Sequence, residues 1–122
     1  MSRILVIDDD PQIRAMLRMI LENEGYDVMD APDGEIAMDI HREHPANLII
    51  TDIVMPEKEG IEVIIYFTQN HPHVKIIAMS GGGLVASDQY LELADKFGAD
   101  RTFEKPFNPM KMLDAVKELL AT

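Results

Sequence analysis

The chain contains no cysteine and no tryptophan. Without cysteine there is no disulfide scaffold and no thiolate metal site, and the composition fits a reducing compartment. Basic residues are scarce: 11 Lys and Arg stand against 22 Asp and Glu, a formal net charge of -11. Such a surface repels nucleic-acid phosphates and anionic lipid, so direct DNA binding is not expected. Long apolar runs are missing too. The run from Ile4 to Ile7 meets Asp8, Asp9 and Asp10 at once, which is too short for the core of a secretion signal. Nothing approaches the roughly 20 apolar residues that a membrane helix needs. The expectation is a cytoplasmic protein with no membrane span.

What is present is a globular composition, 47% hydrophobic and 27% charged over 122 residues. That length suits one domain, 1–122, able to bury a core without cross-links. Short β-rich runs alternate with amphipathic helical ones. Ile4-Leu5-Val6-Ile7 reads as a strand buried on both faces. Asp10-Pro11 then supplies a cap and a first helical residue for a helix bearing Ile13, Leu17, Ile20 and Leu21, stopped at Gly25. A weaker strand spans Tyr26 to Asp30, and Asp33-Gly34 opens a helix with Ile36, Ala37 and Ile40 inward. Asn47 to Thr51 is the third strand, and about Lys58 to Asn70 the third helix. Val74 to Met79 is the fourth strand, and a fourth helix carries Tyr90, Leu93, Ala94 and Phe97, which repeat as i, i+3, i+4, i+7 along one apolar, core-facing stripe. Arg101 to Glu104 is a fifth strand, and Asn108-Pro109 caps a last helix with Met112, Val116, Leu119 and Leu120.

This order predicts an α/β domain, a doubly wound five-stranded parallel sheet with five helices. Ligands in such sheets bind beyond the carboxyl ends of the strands. Those ends carry Asp8 and Asp9, Asp52, Ser80 and Lys105. Singly, each has an ordinary reading as a turn former, a cap or a solvated lysine, and Asp10 keeps its reading as a helix cap. Together they place three carboxylates, Asp8, Asp9 and Asp52, at one sheet edge. These would repel one another unless a cation lies between them. Mg2+ suits the set, because it takes one or two carboxylates and keeps room for a phosphate oxygen.

Nearly the whole chain resembles the receiver domains of two-component response regulators. The resemblance lies in Ile4-Leu5-Val6-Ile7-Asp8-Asp9-Asp10-Pro11, Thr51-Asp52-Ile53-Val54-Met55-Pro56 with Gly60, Ser80, and Lys105-Pro106-Phe107. It implies a flavodoxin-like sheet of order 2-1-3-4-5. It also implies Asp52 as phosphoacceptor, and Mg2+ held by Asp8, Asp9, Asp52 and the Val54 carbonyl, with Asp9 the more direct of the acidic pair. Ser80 and Lys105 would contact the phosphoryl oxygens, and the Lys105-Pro106 bond would be cis. The implied partners are a histidine kinase or histidine phosphotransfer protein and an unidentified downstream effector. The activity would be self-directed phosphoryl transfer and dephosphorylation rather than enzyme turnover.

Three positions depart from the family pattern. Thr102 stands where many receivers carry an aromatic switch residue, and Phe103 should face the opposite side of its strand. The stretch from Ser80 to Gly98 is long and begins with three glycines. Ile65 and Tyr66 are apolar where relatives are often polar.

Rival readings are weaker. A serine hydrolase needs a histidine after its nucleophile, but His41, His44, His71 and His73 all precede Ser80. These histidines are expected to be solvated rather than metal ligands. A metal-dependent phosphatase using Asp52 as nucleophile is the better alternative. However, Val54 stands where a second acid could serve as general acid. A flavodoxin-type cofactor would meet three aspartates where a glycine-rich phosphate loop belongs.

Overall fold

The computed structural model describes residues 2–53, 60–81, 92 and 94–121. Their elements run β1 (Arg3–Ile7), α1 (Pro11–Asn23), β2 (Asp27–Ala31), α2 (Gly34–Glu43), β3 (Leu48–Asp52), α3 (Gly60–Asn70) and β4 (Lys75–Ser80). Residues 94–97 are the described turn of α4. β5 (Arg101–Glu104) and α5 (Pro109–Leu120) follow. The strands form one sheet of order β2-β1-β3-β4-β5, and every neighbouring pair is parallel. The expected architecture and strand order hold.

Strand alternation divides the core into two layers. Leu5, Ile7, Ile49, Ile76 and Ala78 pack under α2, α3 and α4 with Ala37, Val63, Phe67 and Ala94. Ile4, Val6, Ile50, Ile77 and Met79 face α1 and α5 with Leu17, Leu21, Met112 and Val116. The central strands are covered on both faces, which is why they read as unbroken apolar runs. Removing a buried side chain from this layer, as in Ile50→Ala, costs about 2–5 kcal/mol.

The helix starts follow the sequence signals. Asp10 accepts from the Gln12 amide, Asp33 from Ile36, and Asn108 from Met110 and Lys111. Each satisfies amides that lack a partner in the first turn. After α1, Gly25 takes φ +94°, and the Tyr26 amide donates to the Leu21 carbonyl. Tyr26 therefore closes the helix rather than opening β2, which starts at Asp27. Gly98 takes φ +123°, and a Cβ there would stand 2.6 Å from Thr68 Oγ1. No L side chain fits both conditions.

Two inward expectations are corrected. Ile36 is 42% exposed. The buried residues of α2 are Gly34, Ala37 and His41, spaced three and four apart, and Ile36 lies about 100° around the helix from Ala37. Burial of His41 also overturns its solvated reading. Its Nδ1 accepts from the Ala46 amide at 3.0 Å, and its ring packs edge-on against Phe67 and His71. Phe97, expected to face inward, is 41% exposed at the end of α4, while Ala94 is buried as expected. Tyr90 and Leu93 lie outside the described residues, as do the proposed start of the third helix at Lys58 and most of the long stretch after Ser80. Ile65 and Tyr66 are half-buried, with Tyr66 against the core. No described helix is long and apolar enough to cross a membrane.

Candidate functional site

Parallel strands deliver their carboxyl ends to one edge of the sheet, and the polar residues gather there. Asp8 follows β1 directly, Asp52 ends β3, and both are almost fully buried. Asp9 is exposed beside them. A carboxylate oxygen from each of Asp8, Asp9 and Asp52 lies within 4.8 Å of the others. Adjacent ligands of an ion with bonds of about 2.1 Å stand about 3 Å apart. The set is all hard oxygen donors, which fits a hard divalent cation. Among the described residues no other group of three His, Cys, Asp or Glu gathers this way, so the histidines form no such cluster.

Asp8 is held at every polar atom. Its amide donates to the Ala31 carbonyl at 3.1 Å, extending the β1–β2 ladder by one residue. Its Oδ1 accepts from the Asp10 amide at 2.9 Å, and its Oδ2 from Lys105 Nζ at 2.7 Å. Its carbonyl accepts from Arg14 Nη1 at 2.7 Å. Lys105 Nζ also donates to Asp52 Oδ2 at 3.2 Å. The lysine is placed by the sheet: its own amide donates to the Ser80 carbonyl at 2.8 Å, just past the β4–β5 ladder. Ser80 is buried at the end of β4.

The electrostatics follow from burial. Desolvation raises the Asp8 pKa, and the Asp52 charge adds to this against the hydrogen bonds from Lys105 and Asp10. Burial alone would lower the Lys105 pKa, but the hydrogen bonds and charges of Asp8 and Asp52 outweigh it, and the net shift is upward. Lys105 is therefore a firmly protonated ammonium between two acids. Three carboxylates against this one ammonium leave a formal charge of minus two, which a divalent cation would cancel.

The chain thus brings together Asp8, Asp9, Asp52, Ser80 and Lys105; Val54 lies outside the described residues. The Lys105-Pro106 peptide is cis, as the resemblance implied. Thr102 pairs with Ala78 of the α2–α3–α4 layer, whereas Phe103 packs into the α1–α5 layer. Phe103 is therefore on the wrong face to replace an aromatic at Thr102. Sequence reasoning missed Arg14, which grips the Asp8 carbonyl and Asp30 together. Its signal was a basic residue one turn into the helix that follows the acidic triplet.

The family model for the response regulator receiver domain matches residues 4–117. Response regulator GtcR of Aneurinibacillus migulanus is 38% identical over 117 residues, covering 96% of this chain and 47% of that protein. The chain spans about half the length of most curated relatives it matches. The response regulator receiver protein CpdR of Brucella abortus differs in this: at 33% identity, 98% of each chain is covered. A CheY-like receiver domain crystal structure from Methanospirillum hungatei JF-1 superposes with a TM-score of 0.86 at 32% identity, covering 99% of this chain and 94% of that one. None of these matches supports the phosphatase alternative. The sheet order, the acidic edge and the family match over residues 4–117 agree: this chain belongs to the response regulator receiver domains, the phosphorylation-dependent signalling domains of two-component systems.

Proposed function

We propose that the chain is one receiver domain, residues 1–122, whose phosphoacceptor is Asp52. The observation that carries this reading is the Lys105 ammonium bridging Asp8 and Asp52 at an edge where three carboxylates converge. An Asp52 oxygen attacks the phosphorus of a phosphohistidine on a histidine kinase or histidine phosphotransfer protein. The P–N bond breaks, an acyl phosphate forms, and the departing imidazole nitrogen takes a proton from water. Water later attacks the same phosphorus and releases inorganic phosphate, which resets Asp52.

A carboxylate is a weak nucleophile, so positioning and charge neutralisation must supply the rate. Asp8, Asp9, Asp52 and the Val54 carbonyl would hold Mg2+, which when bound offsets negative charge on the transferred group. Lys105 pairs with one phosphoryl oxygen, and the Ser80 hydroxyl donates to another. The chemistry is self-directed: the domain modifies itself and turns over no external substrate.

The output is a downstream effector protein. The curated relatives include transcriptional regulators such as CpxR of Escherichia coli (strain K12). The acidic surface argues against DNA as the direct partner of this domain. A cytoplasmic location belongs to the same reading. The test is acyl-phosphate chemistry: incubation with acetyl phosphate and Mg2+ should give an adduct that neutral hydroxylamine removes. An adduct that resists hydroxylamine would place the phosphoryl group on a hydroxyl and refute the proposal.

A further inference from the structure

Asp9 is exposed, and its side chain makes no hydrogen bond or ion pair among the described residues. Its aim is therefore set by its backbone. The peptide plane joining Asp8 to Asp9 contains the Asp8 carbonyl, so whatever fixes that carbonyl fixes where Asp9 departs from the strand. Arg14 is the group that does so. Its Nη1 donates to the Asp8 carbonyl at 2.7 Å while its Nε donates to Asp30 Oδ2 at 3.1 Å.

We propose that Arg14 is a positioning residue for the divalent-cation site: through the Asp8 carbonyl it sets the plane from which Asp9 projects, with Asp30 as the counter-charge that holds its guanidinium. This rests on the reading of Asp9 as a cation ligand given above.

Three features support the assignment. The Asp8 backbone is fastened at both ends from consecutive residues of β2, its amide by the Ala31 carbonyl and its carbonyl through Arg14 on Asp30. The guanidinium is held in place, with the Arg14 side chain only 19% exposed. Finally, the clamp is electrically closed: Arg18 donates to Asp30 Oδ1 at 3.0 Å and to Glu22 at 3.2 Å. Two arginines thus face two carboxylates, and no net positive charge opposes the cation. A lysine at position 14 has a single nitrogen and cannot span both acceptors in a fixed fork.

The test compares Arg14→Lys and Arg14→Met with the wild type, with Asp9→Asn as the control for the site itself. Mg2+ affinity is measured by calorimetry, and Tm in the presence of a chelator. The Arg14 variants should bind Mg2+ about tenfold more weakly. For Arg14→Lys, the chelated protein should keep its Tm within a few degrees. The Mg2+ concentration for half-maximal phosphorylation by acetyl phosphate should rise by the same factor. Wild-type Mg2+ affinity in both Arg14 variants, with binding lost in Asp9→Asn, would overturn the inference and leave the site reading intact. A lowered Tm without a change in Mg2+ affinity would reduce Arg14 to a clamp of the fold. Retained Mg2+ binding in Asp9→Asn would refute the site reading and the inference together. Should Arg14→Met fail to fold, Arg14→Lys carries the same comparison.

Discussion

Lys105 Nζ lies 2.7 Å from Asp8 Oδ2, although 97 residues separate the two in the chain. The bond crosses from the end of β5 to the end of β1 and reaches Asp52 on the way, at 3.2 Å. Removing the ammonium would leave two buried carboxylates facing each other. Lys105→Met should therefore destabilise the metal-free protein by about 2 kcal/mol at neutral pH. Mg2+ should recover much of that loss, because a divalent cation takes over the neutralisation. Urea denaturation with and without Mg2+ checks this, and an equal loss in both conditions would contradict it.

Mg2+ itself should stabilise the wild type. A ligand that binds only the folded state adds about 2.7 kcal/mol at a concentration one hundred times its Kd. Asp9→Asn should abolish most of this gain without disturbing the core, since Asp9 is exposed. Thermal melts across a Mg2+ series, with Ca2+-free buffers, read the difference.

His41 gives the protein an acid-sensitive point away from the acidic edge. Burial lowers its pKa below the ordinary histidine value of 6.5, and the charges of His71 and His73 lower it further. The folded state therefore prefers the neutral ring, whose Nδ1 accepts from the Ala46 amide. Because the folded pKa lies below the unfolded one, this contribution is complete above about pH 6.5 and is lost as pH falls through the folded value. Between pH 7.5 and 5.5 the wild type should lose up to about 1 kcal/mol more than His41→Gln. Equal losses in the two proteins would remove His41 from the account.

Much of this was legible in the sequence, and the reasons are physical. Strands covered on both faces leave unbroken apolar runs, so β1, β3 and β4 announced themselves at Ile4, Leu48 and Ile76. Asp10, Asp33 and Asn108 marked the helix starts because a cap needs a short polar side chain. Strand ends then pointed to Asp8, Asp52, Ser80 and Lys105. Side-chain partnerships were less legible. Arg14 shows in the sequence only as a basic residue one turn into α1, with no sign that it grips the Asp8 carbonyl, and His41, between Ile40 and Arg42, carries no sign that it will be buried and satisfied by a backbone amide. Ile36 and His41 exchanged places for the same reason: hydropathy favours isoleucine inside, but helix geometry put the face of Ala37 and His41 against Phe67.

Phosphorylation should be read out through Ser80 rather than Thr102. Ser80 is buried at the site edge, and its carbonyl holds the Lys105 amide. Thr102 is small and paired with Ala78, so its side chain can alter the space behind Ser80 only slightly. Ser80→Ala should weaken the response to beryllofluoride, while Thr102→Val leaves it largely intact. Hydrogen exchange with and without the mimic would register the change near Gly81. The reverse ranking of the two variants would count against this route.

The assignment of Asp52 is tested most directly by intact mass. Wild type and Asp52→Asn are incubated with acetyl phosphate and Mg2+ under identical conditions. The wild type should gain the mass of a single phosphoryl group, and Asp52→Asn should gain none. A phosphoryl adduct of similar yield on Asp52→Asn would contradict the central claim.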